Sequence, residues 1–176
     1  MTVSMHSLQG SLDGLCGPYA IANALRACGL PDEDAIFQKA CSAPAGRRWP
    51  ALVWEGVTFG DLQRMIRACL RPETNPDGLV ATYPFLKTPP RTNAEYWRRF
   101  DAIFDEKDCI CGIVGLTSPW MHWMVVERHG QRLRFTDSDP LNPSPVKNRG
   151  SLHAGSRPPR KSQWVIDPKE LVVFSR

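Results

Sequence analysis

Residues 9–29 read QGSLDGLCGPYAIANALRACG, and the rest of the chain is arranged around them. A glycine-bearing loop over 9–15 delivers Cys16 to the start of a helix, and Gly29 stops that helix. Ala20, Ile21, Ala24, Leu25 and Cys28 recur at helical spacing, so one face is expected to be buried and to hold Cys16 in a fixed place. Such a mount suits a nucleophile. The unpaired N–H groups and positive dipole end of a helix start favour thiolate over thiol, and can bring a cysteine pKa from about 8.5 to neutral or below. Gln9, reaching back, would join the backbone N–H of Cys16 as a two-donor hole for the oxyanion of a tetrahedral intermediate. A lone cysteine nevertheless reads first as a small buried residue, since free cysteine is among the most buried types. Downstream sequence has to decide.

Residues 122–140, HWMVVERHGQRLRFTDSDP, supply that decision. His122, Met124 and Val126 alternate with Trp123, Val125 and Glu127; after a turn over 128–130, Leu133, Phe135 and Asp137 alternate again. Two period-2 runs around a glycine predict an antiparallel hairpin. With the turn near His129 and Gly130, Met124 faces Phe135, and His122 stands at the height of Asp137 as a cross-strand neighbour on one face. Asp137 would then hold the His122 ring in one tautomer and stabilise its charged form, leaving the other ring nitrogen for Cys16.

Gln9, Cys16-Gly17 before a small-residue helix, His122 followed by Trp-Met-Val-Val on a strand, and Asp137 at the end of the next strand together resemble the papain-like cysteine peptidase clan. Within it the likeness is to the small bacterial branch that includes bacteriocin-leader peptidases. The resemblance covers about forty residues in two blocks. It implies an α+β fold in which an N-terminal helical part carrying the nucleophile packs on a C-terminal antiparallel β-sheet. It implies Cys16 as nucleophile, His122 as base, Asp137 as orienting acid and Gln9 in the oxyanion hole. The Asp-Pro pair of the leader peptidases also aligns with Asp139 and Pro140, and pairing height favours Asp137. Chain order separates the protein from the SUMO-protease clan, which runs His, Asp, Gln, Cys.

A chain of 176 residues with 42% apolar and 23% charged residues reads as one globular domain over 1–176. A net charge of +4 is too mild to argue for nucleic acid. The N-terminal MTVSMHSLQ lacks a basic region followed by an apolar core, and no run approaches membrane-spanning length. Six cysteines in a chain of this length without a signal predict free thiols and a cytoplasmic setting, with export as an effector left open. Cys109 and Cys111 share a strand face, but their spacing and the lack of a second pair argue against zinc. The chemistry implied needs no metal and no cofactor.

The remaining elements frame the site. Residues 31–41 and 58–70 predict helices, the second opened by a Thr58/Asp61 capping box; 79–83 predict a strand; 92–107 predict a helix with a Thr92/Glu95 box. Residues 42–56 predict a long loop whose Trp49 and Trp54, with Trp120 beside His122, would line a substrate groove. The apolar run 109–116 predicts a central strand covered on both faces. Residues 141–163 contain no acid and five Lys or Arg, predicting a long exposed loop suited to an acidic segment or a ubiquitin-like protein. Strands are expected over 164–166 and 171–174, separated by a capped turn at 167–170.

A cysteine peptidase acting on a peptide or isopeptide bond of a protein or peptide is the expectation. The same triad also serves acyltransferases and glutamine deamidases, and a non-catalytic peptide-binding module is the alternative outside enzymes. Sequence does not address oligomeric state.

Overall fold

The computed structural model describes residues 14–138, 145–155, 160 and 163–176. Helices pack on both faces of a seven-stranded sheet ordered β1-β7-β2-β3-β4-β5, with β6 alongside β7. The strands are β1 (Val80–Thr82), β2 (Cys109–Ser118), β3 (His122–His129), β4 (Arg132–Thr136), β5 (Val146–Lys147), β6 (Leu152–Ala154) and β7 (Trp164–Ser175). All pairings are antiparallel except β6 with β7. This is the α+β arrangement expected from the sequence.

Alternation along the strands divides the apolar residues into two cores. Cys111, Ile113, Trp123, Val125, Val172 and Phe174 face α1 (Cys16–Ala27), α2 (Glu33–Ser42) and α4 (Phe59–Cys69). Val114, Leu116, Met124, Val126, Leu171 and Val173 face α5 (Asn93–Phe104), whose Tyr96, Trp97, Phe100 and Phe104 form an aromatic stack. The central strand is therefore covered on both sides, which is why 109–116 carries no polar alternation.

α1 is buried almost all round, and its end has a Schellman geometry: Gly29 N–H donates to Arg26 and Leu30 N–H to Leu25, with Gly29 at φ 96°. α4 opens with the predicted Thr58/Asp61 capping box. At α5 only half of the expected box forms: Thr92 accepts from the Glu95 N–H, while the Glu95 carboxylate turns to the backbone N–H of Arg91.

Three expectations change. The 42–56 stretch is not one loop, since it folds into a 3₁₀ turn and α3 (Ala51–Glu55). Within 141–163, β5 and β6 are strands, and Leu152 and Ala154 are buried in the second core. β7 is continuous through 167–170, but its register against β2 jumps from Leu171↔Val114 to Ile166↔Leu116. Four residues, Asp167 to Glu170, thus bulge opposite the single residue Gly115. Among the described residues no helix is long and apolar enough to cross a membrane.

Candidate active site

Cys16 is the first residue of α1, and the first intrahelical bond runs from Tyr19 N–H to Leu15 C=O. The N–H of Cys16 therefore has no partner inside the helix, and Pro18, lacking a donor, sits in the first turn where none is needed. Gly14 ties the preceding loop to α3 through its N–H and the Val53 C=O, at 2.6 Å. Gly17 is required by space rather than by conformation. A Cβ there would overlap Cγ2 of Val57, with Leu62 and Trp123 close behind. Cys16 is only 8% exposed, yet it lines a cleft.

His122 opens β3, and its Nε2 lies 2.5 Å from Oδ1 of Asp137. Asp137 follows directly on β4 and is 2% exposed. The pairing behind this contact differs from the expected one by two residues. Val126 is opposite Phe135 and Val125 opposite Thr136, so His122 and Asp137 meet diagonally instead of at equal height. A two-residue slip preserves the face, and the diagonal spacing remains within reach of a long side chain.

The Cys16 thiol lies beside the His122 ring and acts on its charge, and its Sγ also approaches the Gly14 C=O at 3.9 Å. Burial opposes a charge on the ring, but the Asp137 hydrogen bond, the adjacent Cys16 thiol and the Asp137 charge outweigh it and push the His122 pKa up to about 9. Burial raises the Cys69 thiol to about 12 and the Cys109 thiol to about 11. All six cysteines are free, and the closest pair described, Cys28 and Cys111, has its sulfurs 3.8 Å apart.

The cleft has a volume of about 360 Å³. Its lining comes from α1 (Cys16), β3 (His122 and Trp123), the 48–59 segment (Arg48, Glu55 and Thr58 among others), β2 (Gly115) and the β7 bulge (Asp167 and Glu170). Trp123 is pinned by its indole N–H donating to Val57 C=O and by stacking on Phe59. Arg48 is held by Asp61, which also takes Arg64 and the Thr58 hydroxyl. Although burial disfavours its charge, those bonds hold the Asp61 carboxyl below the usual carboxylate range.

The structure brings Cys16, His122 and Asp137 together. Gln9 and Asp139 lie outside the described residues. The three tryptophans assigned to a groove part company. Trp49 packs against the first core, Trp54 is 72% exposed next to the cleft residue Glu55, and Trp120 is 43% exposed with its ring 6.4 Å from that of His122. The 42–56 segment contributes Arg48 and Glu55 to the cleft instead. Glu170 and Asp167 were not singled out by sequence. Their one signal was a turn-like Asp-Pro-Lys-Glu interrupting an apolar strand, the pattern of a bulge that throws side chains off the sheet.

No known family profile matches the chain, and no curated protein sequence matches it. Among solved structures, the peptidase domain of ComA from Streptococcus, a bifunctional ABC transporter of a quorum-sensing pathway, superposes with a TM-score of 0.52 at 12% identity, over 97% of this chain and 96% of that one. At that identity the likeness is one of fold: helices on an antiparallel sheet, shared with a peptidase domain across nearly the whole length of both chains.

Proposed function

We propose that this chain is a papain-like cysteine peptidase, one domain over residues 1–176, that cleaves a peptide or isopeptide bond in a protein or peptide substrate. The observation that carries the reading is the hydrogen-bonded pair Asp137–His122 set beside Cys16, with the ring and the thiol lining one cleft. With Nε2 taken by Asp137, Nδ1 is the ring nitrogen that meets the sulfur. A His122 pKa of about 9 makes the ring an imidazolium at neutral pH, the partner that an attacking sulfur needs.

In the proposed cycle the Cys16 thiolate attacks the carbonyl carbon, and the oxyanion is stabilised by the Cys16 N–H and by Gln9. His122 then donates its proton to the leaving amine as the C–N bond breaks, leaving a thioester. A water molecule, deprotonated by His122, attacks the thioester, releasing the acid and regenerating the thiolate. The fold shared with a peptidase domain supports the reading.

The test is turnover of a quenched-peptide library by wild type and by Cys16→Ala and His122→Ala. Both variants are expected to be inactive. Wild-type hydrolysis by Cys16→Ala would overturn the assignment. Adding an amine acceptor and analysing products by mass separates hydrolysis from acyl transfer.

A further inference from the structure

The catalytic cleft is electrically one-sided. Its two cationic groups already have partners: Arg48 is bound to Asp61, and His122 lies between Asp137 and Cys16. Its carboxylates do not. Among the described residues Glu55, Asp167 and Glu170 form no ion pair, and Asp167 only accepts the N–H of Lys169.

Glu170 is placed by backbone construction. The four-residue bulge of β7 lifts it off the ladder opposite Gly115, and its carboxyl group lies across the Cα of that glycine, in the space any Cβ would fill. Gly115 in turn pairs with Trp123, next to His122. Glu170 thus lines the same cleft as Cys16 and His122.

We propose that Glu170 is a specificity-determining residue, receiving the ammonium or guanidinium of a lysine or arginine that flanks the bond presented to Cys16. This rests on the peptidase reading above and adds the class of substrate to it. A half-buried carboxylate beside a second carboxylate, with no cation to answer it, is unfavourable in the empty cleft; a cationic side chain relieves that cost on binding. Burial and the neighbouring charge of Asp167 push the Glu170 pKa up to about 7, in keeping with an unanswered charge. The aliphatic stems of lysine and arginine suit the rest of the lining, which includes Val57, Leu116, Phe59 and the 85%-exposed Met121 at the rim.

The test uses peptidyl acyloxymethyl ketones that differ only in carrying lysine, norleucine or glutamate at each position flanking the warhead. Alkylation of Cys16 is followed by intact mass, and the lysine-to-norleucine rate ratio is taken within each protein so that a general slowing by a variant cancels. Wild type is expected to favour lysine by roughly 10-fold at one position, as one charge-assisted contact warrants. Glu170→Gln should bring that ratio to about 1–2, and Glu170→Lys should turn it toward glutamate, by the same electrostatics. A wild-type ratio near 1 at every position, or an unchanged ratio in Glu170→Gln, overturns the proposal. Iodoacetamide separates this failure from a deeper one: if Cys16 reacts no faster than Cys28 or Cys69, the catalytic reading falls and takes the substrate class with it.

Discussion

The Nε2 of His122 and the Oδ1 of Asp137 are 2.5 Å apart, although the two residues are diagonal neighbours in the β3–β4 pairing. Asp137 is 2% exposed, so its carboxylate meets the ring away from water, where a charge-assisted hydrogen bond is strong. That contact both fixes the tautomer and raises the pKa, and the first two predictions follow from it.

Asp137→Asn keeps the shape and removes the charge. It is expected to lower kcat/KM by roughly 10²- to 10⁴-fold, the scale of a disabled general acid–base. The alkaline limb of the pH–rate profile, expected near pH 9 in wild type, should move to lower pH because a carboxylate that raises the His122 pKa is gone. An unchanged limb would show that Asp137 does not tune the ring.

The folded state should also lose stability with rising pH. The His122 pKa is raised from an ordinary 6.5 to about 9, so folding favours the proton. Its contribution is complete below pH 6.5 and is lost as pH climbs through 9, by roughly 1–3 kcal/mol. Urea unfolding of wild type against His122→Gln from pH 6 to 10 reads this difference, which should shrink upward through that window.

Glu170 has the same direction of shift, and stability again falls as pH rises, through a lower window. A carboxyl whose folded pKa is raised from 4.5 to about 7 favours its neutral form, so its ionisation costs stability as pH rises through that interval. Glu170→Gln is therefore expected to melt higher than wild type at pH 8, with the gain vanishing toward pH 4.5. The charged and titratable groups that line the cleft with it are Asp167 on β7, Glu55 on α3, Arg48 ahead of α3, His122 on β3 and Cys16 on α1, and of these the Asp167 charge is the one that acts on it. A thermal-melt series at several pH values tests it, and a gain that does not depend on pH would contradict it.

Gly17→Ala should destabilise by about 1–3 kcal/mol through overpacking against Val57, and should slow Cys16 as α1 shifts. Combining it with Val57→Ala should cost less than the sum of the two changes, because the second removes the obstructing methyl. Denaturant midpoints of the four proteins measure that coupling.

Much of this was legible in short-range pattern. The stripe Ala20-Ile21-Ala24-Leu25 gave α1, the Thr58/Asp61 box gave the start of α4, and alternation on both sides of Gly130 gave the β3–β4 hairpin with the correct face for His122 and Asp137. What escaped depends on long-range partners. Pairing register is set by where the turn closes, and a two-residue slip leaves alternation unchanged. Leu152 and Ala154 become β6 only because β7 lies beside them, a neighbour that prolines and basic residues on either side conceal. The turn-like residues 167–170 hint at an interruption, but that it is a bulge opposite Gly115 depends on a partner more than fifty positions earlier. Trp49 and Trp54 are alike in sequence context, and only packing sends one to the core and leaves the other in water.

Cys16 is rooted in the helical layer, while His122 and Asp137 are rooted in the sheet, and the seam between α1 and β3 runs through the first core. In the proposed mechanism, catalytic competence is thus a caliper set across that seam. Any cavity opened there, by Ile21→Ala or Val125→Ala for instance, should part sulfur from ring while the second core still holds the sheet together. Activity would then fail at milder denaturant or lower temperature than the fold itself.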